Sequence, residues 1–208
     1  MDPRKKLKRN ILLVFGILCA FLIVSYGALS LMENFMAQKN EDYSSSYIFY
    51  PSDYEKNIFS DPEYLELNRY ITVVDGPISV TVTDGDYLSH GEVVAFLAEK
   101  YIDSIIKGEA ETYNSCFSEE YYRDNEPLER FTMQQLHNIT LTLEDTEKIE
   151  DGEGEYMLYG YRVEYMIHCN NGSFRYDLHS DSIRPQYLVI SDRTGEYLID
   201  KVITFKNS

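Results

Sequence analysis

Three rhythms of hydrophobic and polar positions follow one another along the chain. The first is unbroken: Ile11 to Met32 reads ILLVFGILCAFLIVSYGALSLM, 22 residues without a charge. An apolar helix needs about 20 residues to cross the hydrocarbon core, because each advances about 1.5 Å. The stretch has no polar face, so it predicts a transmembrane helix over residues 11–32. Residues 33–50 turn polar and then aromatic (Tyr47, Phe49, Tyr50), as a juxtamembrane linker would. Over residues 51–87 come two capping-box patterns, Ser52-x-x-Glu55 and Ser60-x-x-Glu63. In each the hydroxyl takes an N3 amide while the glutamate returns to the cap, which predicts two short helical turns ending before Asn68. The β-branched runs Tyr70 to Val74 and Ile78 to Thr83, joined by Asp75-Gly76-Pro77, predict a hairpin.

The second rhythm is helical. Ser89-x-x-Glu92 opens a helix over about residues 91–107, in which Val94, Leu97, Ala98, Tyr101 and Ile105 repeat near 3.6 residues. Val93, Ile102 and Ile106 widen that stripe, and Gly108 stops it. A short helix carrying Ala110, Tyr113 and Phe117 follows, and a third is expected from about Leu128 to Leu136.

The third rhythm has period two. Ile139, Leu141 and Leu143 alternate with polar neighbours, then Tyr159, Tyr161, Val163, Tyr165 and Ile167 form one face opposite Arg162, Glu164 and His168. Asn170-Asn171-Gly172 predicts a tight turn into a strand with Phe174, Tyr176 and Leu178 on one face and Arg175, Asp177 and His179 on the other. Strands at 186–191 and 197–205 complete the pattern. Helices first and then an antiparallel meander with one buried face predict an α+β domain.

Charge sets the orientation. Arg4, Lys5, Lys6, Lys8 and Arg9 precede the apolar stretch, whereas Glu33, Glu41 and Asp42 follow it. Basic residues stay on the cytoplasmic side, so residues 1–10 read as a cytoplasmic tail and the rest as extracytoplasmic. Ala28-Leu29-Ser30 fits a signal-peptidase site, but signal-peptide cores run only about 7–15 residues, which favours an uncleaved single-pass anchor. The first ten residues carry +5 − 1 = +4, so the remainder carries −16 − 4 = −20. Such a surface repels phosphate backbones and argues against nucleic-acid partners.

A family resemblance rests on residues of the second half. The long helix, then Lys107-Gly108-Glu109 opening a second, then Phe117-Ser118-Glu119-Glu120-Tyr121, resembles the start of a nuclear-transport-factor-2-like domain. Gly195-Glu196-Tyr197-Leu198-Ile199-Asp200-Lys201-Val202 is similar to that superfamily's last strand. The resemblance covers about residues 91–206, within a domain taken as 88–208. It implies a curved sheet wrapped around the long helix as a cone, often with a pocket at its mouth. The superfamily holds isomerases, cyclases, scaffolds and membrane-anchored assembly subunits, so the fold does not choose among them.

Candidate chemistry is sparse. His168 and His179 share strand faces with charged residues and read as solvated, whereas His137 and His90 stand at helix boundaries, His137 with Asp103 as a conceivable dyad. No catalytic residue, metal ligand or cofactor is assigned. The acidic run Glu144 to Glu155 lacks the glycine of a calcium loop, because Tyr156 stands at that position, and reads as a solvated hairpin tip. Asn138-Ile139-Thr140 and Asn171-Gly172-Ser173 fit the glycosylation acceptor pattern. Cys116 and Cys169 are open to two readings, a disulfide or two free thiols. Tyr101, Tyr161 and Tyr165, among 19 tyrosines and no tryptophan, would line a pocket for a small hydrophobic ligand or fill a solid core. The expectation is a membrane-anchored interaction domain whose partners are other envelope proteins; a ligand-binding module and a cyclase- or isomerase-like enzyme are the alternatives.

Overall fold

Alternation over the second half builds a sheet, and the helical stripe covers one of its faces. In the computed structural model, which describes residues 48–205 except Glu153, the strands are β1 (Ile71–Asp75), β2 (Ile78–Val82), β3 (Gln135–Asp151), β4 (Gly154–His168), β5 (Gln186–Ser191) and β6 (Leu198–Thr204). The helices are α1 (Pro62–Glu66), α2 (Glu92–Ala95), a π-helical segment (Phe96–Ile102), α3 (Asp103–Lys107) and α4 (Ala110–Asn114). The architecture is α+β, with few helices and one six-stranded sheet ordered β2-β1-β3-β4-β5-β6. The basic tail, residues 11–32 and the start of the linker lie outside the described residues. Among the described residues no helix is long and apolar enough to cross a membrane.

Residues 92–107 form one continuous rod of α2, the π segment and α3. Its buried residues step by four: Val93, Leu97, Tyr101 and Ile105 in one row, Val94, Ala98 and Ile102 beside them. A strict four-residue step overruns a 3.6-residue turn. Looser π winding at mid-rod offsets the drift and keeps the stripe facing the sheet. Across from it lie Leu141, Val163, Tyr165, Ile167, Leu188 and Ile190, all in the same core. Gly108 ends the rod in the left-handed region (φ 70°), as expected of a glycine stop.

Several expectations are corrected. None of the three capping boxes forms. Ser52 Oγ donates to the Asn171 carbonyl and Ser60 Oγ to the Asn57 carbonyl. The real caps are Asn57, ahead of a 3-10 turn at Ile58–Ser60, and Asp61 with Pro62 at the first position of α1. Ser89 lies inside a 3-10 turn, Leu88–His90, and the rod starts behind Gly91 without a side-chain cap. The third helix is absent: Asn114 Nδ2 donates to the Leu128 carbonyl while its Oδ1 accepts from the Leu128 N–H, and Gln134 N–H donates to the Ile106 carbonyl. Partners distant in sequence take up backbone groups there, along an irregular path. The strand over residues 174–178 is absent as well, and the sheet is mixed, because β1 runs parallel to β3.

Candidate functional site

Tyr101, Tyr161 and Tyr165 are all buried, at 0%, 5% and 2% exposure. Tyr101 packs against Tyr113, with centroids 5.6 Å apart, and edge-on to Phe117 at 6.2 Å. Its Oη meets no partner in good hydrogen-bond geometry, with only a looser interaction with the Tyr113 phenol. Burial pushes the Tyr101, Tyr113 and Tyr165 phenols above their ordinary pKa, so all three are neutral. Beside them lies a group that strand alternation had assigned to solvent. Arg175 is 6% exposed, with Nε and Nη2 on the two Asp177 oxygens at 2.6 and 3.0 Å and Nη1 on Tyr165 Oη at 3.1 Å. Tyr165 Oη in turn donates to Gln186 Oε1 at 3.1 Å. Burial works against the charge of Asp177, yet the Arg175 bonds and the charges of Arg175 and Arg184 hold its carboxyl below the usual range. A bidentate fork of this kind positions the 170–186 segment on the core.

Two of the four histidines, His137 and His168, converge on the opposite face. β3 is interrupted between His137 and Thr140, where Asn138 takes φ 50°. This bulge lets Leu136 and Ile139 both face the core and turns His137 to the other side, opposite Met166. His137 Nε2 is 2.9 Å from Asp181 Oδ1, and His168 Nδ1 is 3.2 Å from both Asp181 oxygens. An ionised carboxylate only accepts, so each ring presents an N–H to Asp181. Glu63 Oε2 stands 3.9 Å from His168 Nε2. Among the described residues, three non-glycine residues have positive φ: Asn138 (50°), Cys169 (50°) and Asp181 (56°). Each either follows one of these histidines or is their shared carboxylate.

Alternation placed His168 on the face away from the core, as found, but did not foresee the cover over that face; His137, expected at a helix end, lies on β3 instead. Residues 48–67 cover that end of the sheet: Tyr64 is 1% exposed and its hydroxyl donates to the Leu136 carbonyl. His137 is therefore 5% exposed, whereas His179 is exposed. Between this cover and the sheet lies a cleft of about 40 Å³, with Asp53, Lys56, Gln134, Gln135, His168 and Asn171 among its walls. Lys56 Nζ donates to Asp61 Oδ2 at 2.8 Å and Gln135 Nε2 to the same oxygen at 2.9 Å. Those two bonds hold the Asp61 carboxyl down to about 2.

Other candidates are dispersed. The structure does not pair His137 with Asp103: Asp103 bridges Lys107 at 2.6 Å, and His90 is exposed on its 3-10 turn. Cys116 and Cys169 are free; burial pushes the Cys116 thiol up to about 12. The acidic run forms the far end of the β3–β4 ribbon, where Lys148 pairs with Glu155 at 2.5 Å. Among the described residues no group of three or more His, Cys, Asp or Glu is arranged to hold a metal ion. Alternation could have nominated His137 only if the bulge at Asn138 were foreseen, and Asp181 left no periodic signal. In comparison with known proteins, no family model, no curated protein and no solved structure matches the chain.

Proposed function

We propose that the chain is a membrane-tethered, extracytoplasmic interaction domain that assembles with other envelope proteins. Residues 11–32 serve as its single anchor, and its helices and sheet form the cone implied by the resemblance to nuclear-transport-factor-2-like domains. One observation carries the interaction reading. Among the described residues nothing pairs with the outer edge of β2, and its Ile78 and Val80 are 61% and 38% exposed although their register partners belong to β1, a core strand. Uncovered apolar edges of this kind are docking surfaces or liabilities, and natural proteins usually guard them. The test is the full chain in its own membrane, with a reporter fused after Ser208. An externally active reporter, and a chain that leaves gentle detergent in a larger assembly, are the expected results. An internal reporter would overturn the orientation, and a bare monomer would overturn the assembly role.

A second reading has its own observation. Backbone strain tends to gather at functional sites, and among the described residues the non-glycine residues of positive φ are Asp181, which bonds both His137 and His168, and Asn138 and Cys169, which directly follow those histidines beside the polar cleft. That reading makes the cleft a pocket for a small polar ligand held at His168 Nε2. Native mass spectra of the detergent-released chain are expected to show a reproducible small adduct that His168→Ala loses. A bare wild-type chain would sink this reading.

A further inference from the structure

The two edges of the sheet are finished differently. The outer side of β6 is engaged by the segment after α4: Ile199 N–H donates to the Cys116 carbonyl at 2.8 Å, and Ser118 N–H donates to the Ile199 carbonyl at 3.1 Å. β6 also carries Asp200 and Lys201, the kind of charge that deters added strands. β2 has neither device. Its sequence ISVTV holds no charge and no proline. Among the described residues no backbone hydrogen bond beyond the β1 ladder is made by it.

The hairpin geometry says which groups are free. Asp75 and Ile78 flank the two-residue turn of Gly76 (φ 53°) and Pro77, so they form a hydrogen-bonded pair. Alternation along the ladder makes Val73–Val80 and Ile71–Val82 the next bonded pairs. The N–H and C=O groups of Ser79 and Thr81 therefore point away from β1. Ile78, Val80 and Val82 share the helix-side face with Val73 and Ile71, but only Val82, at 3% exposure, is covered. The helix layer stops short of the edge, and one more strand would carry the core face outward beside Ile78 and Val80.

Charge selects the strand that would fit. Asp75 flanks one end of β2 and Asp84 and Asp86 the other, all exposed. Between Tyr70 and Glu99 the chain has five acids (Asp75, Asp84, Asp86, Glu92, Glu99) and no Lys or Arg. The preceding cation, Arg69, lies over the Tyr64 ring at 5.5 Å. A second copy paired antiparallel about Val80 would set Asp75 opposite Gly85, between Asp84 and Asp86, and would repel. We infer that β2 receives an extended segment of a partner protein, with β-branched residues at alternate positions and Lys or Arg at both ends, added antiparallel along Ser79 and Thr81. This strand addition rests on the interaction reading above.

The probe is a nonapeptide, Lys-Lys-Val-Thr-Val-Thr-Val-Lys-Lys, titrated onto the full chain in neutral detergent. The comparison peptide has Glu at both ends. The Lys-ended peptide is expected to bind at least about tenfold more tightly, with the margin shrinking as salt is raised. Amide exchange of Ser79 and Thr81 should slow on binding. Ser79→Pro removes one outward N–H without touching the β1 ladder and should weaken binding by about tenfold, since edge strands tolerate proline there. Equal binding of the two peptides, or binding that leaves the Ser79 and Thr81 amides unprotected, would overturn the inference. So would a homodimer that Ser79→Pro dissolves. The exchange measurement on the unaltered chain decides the matter even if Ser79→Pro fails to fold. Absent peptide binding with the larger membrane assembly intact removes strand addition alone, whereas loss of that assembly removes the interaction reading itself.

Discussion

Asp177→Ala is expected to lower the thermal midpoint of the full chain by roughly 10 °C, from a loss of about 3–5 kcal/mol. The cause is desolvation without compensation. Arg175 has a side chain only 7% exposed, and Asp177 supplies two of its three hydrogen bonds and also accepts from Arg184 at 2.7 Å. Removing the carboxylate strands a buried guanidinium, which cannot shed its proton. Replacing both partners, Arg175→Met with Asp177→Leu, should cost less than half as much, because no charge is then left behind. A double variant as damaging as Asp177→Ala would show that packing, not the ion pair, holds the segment. The pair also fixes the sign of the acid response. The Asp177 carboxyl is lower in the folded chain than its ordinary value of 3.8. Its contribution is complete above that value and drains away as pH falls through the lower folded value. Asp61, held down to about 2, drains in the same acid window. Asp177→Asn should therefore flatten the fall of the midpoint below pH ~4 without abolishing it.

Gly108→Ala is expected to cost about 3 kcal/mol, from left-handed strain plus overpacking. Gly108 has φ 70°, and an added Cβ would lie 2.7 Å from the Met133 nitrogen and 2.8 Å from the Thr132 carbonyl carbon. Both are backbone atoms, so no rotamer change relieves the clash. The segment that must move carries Phe131 and Thr132, each 3% exposed, and Gln134, whose N–H donates to the Ile106 carbonyl. Gly195→Ala is the matched control: φ is 80° but nothing lies within 4 Å, so only the strain of about 1 kcal/mol remains. Comparable midpoints for the two variants would mean that the 131–133 segment yields freely.

The sequence by itself determined the elements whose faces repeat over many residues. The stripe from Val93 to Ile105, the glycine stop, the hairpin about Gly76-Pro77 and the strand Gln186–Ser191 were all legible, because period and turn chemistry are local. Tyr161, Val163, Tyr165 and Ile167 were likewise assigned to the core side. Tertiary structure decided what local pattern cannot carry. Residues 174–178 alternate like a strand, yet Arg175 finds Asp177 and Tyr165 and the segment packs as a loop. Residues 128–134 lose their helix to Asn114 and to the end of the rod. The parallel pairing of β1 with β3 joins residues 68 positions apart in sequence, Ile71 to Ile139. The cluster of His137, His168 and Asp181 exists because one bulge turns a ring and residues 48–67 close over it. Alternation tells which residues share a face; whether water or another segment meets that face is settled only when distant parts of the chain pack together.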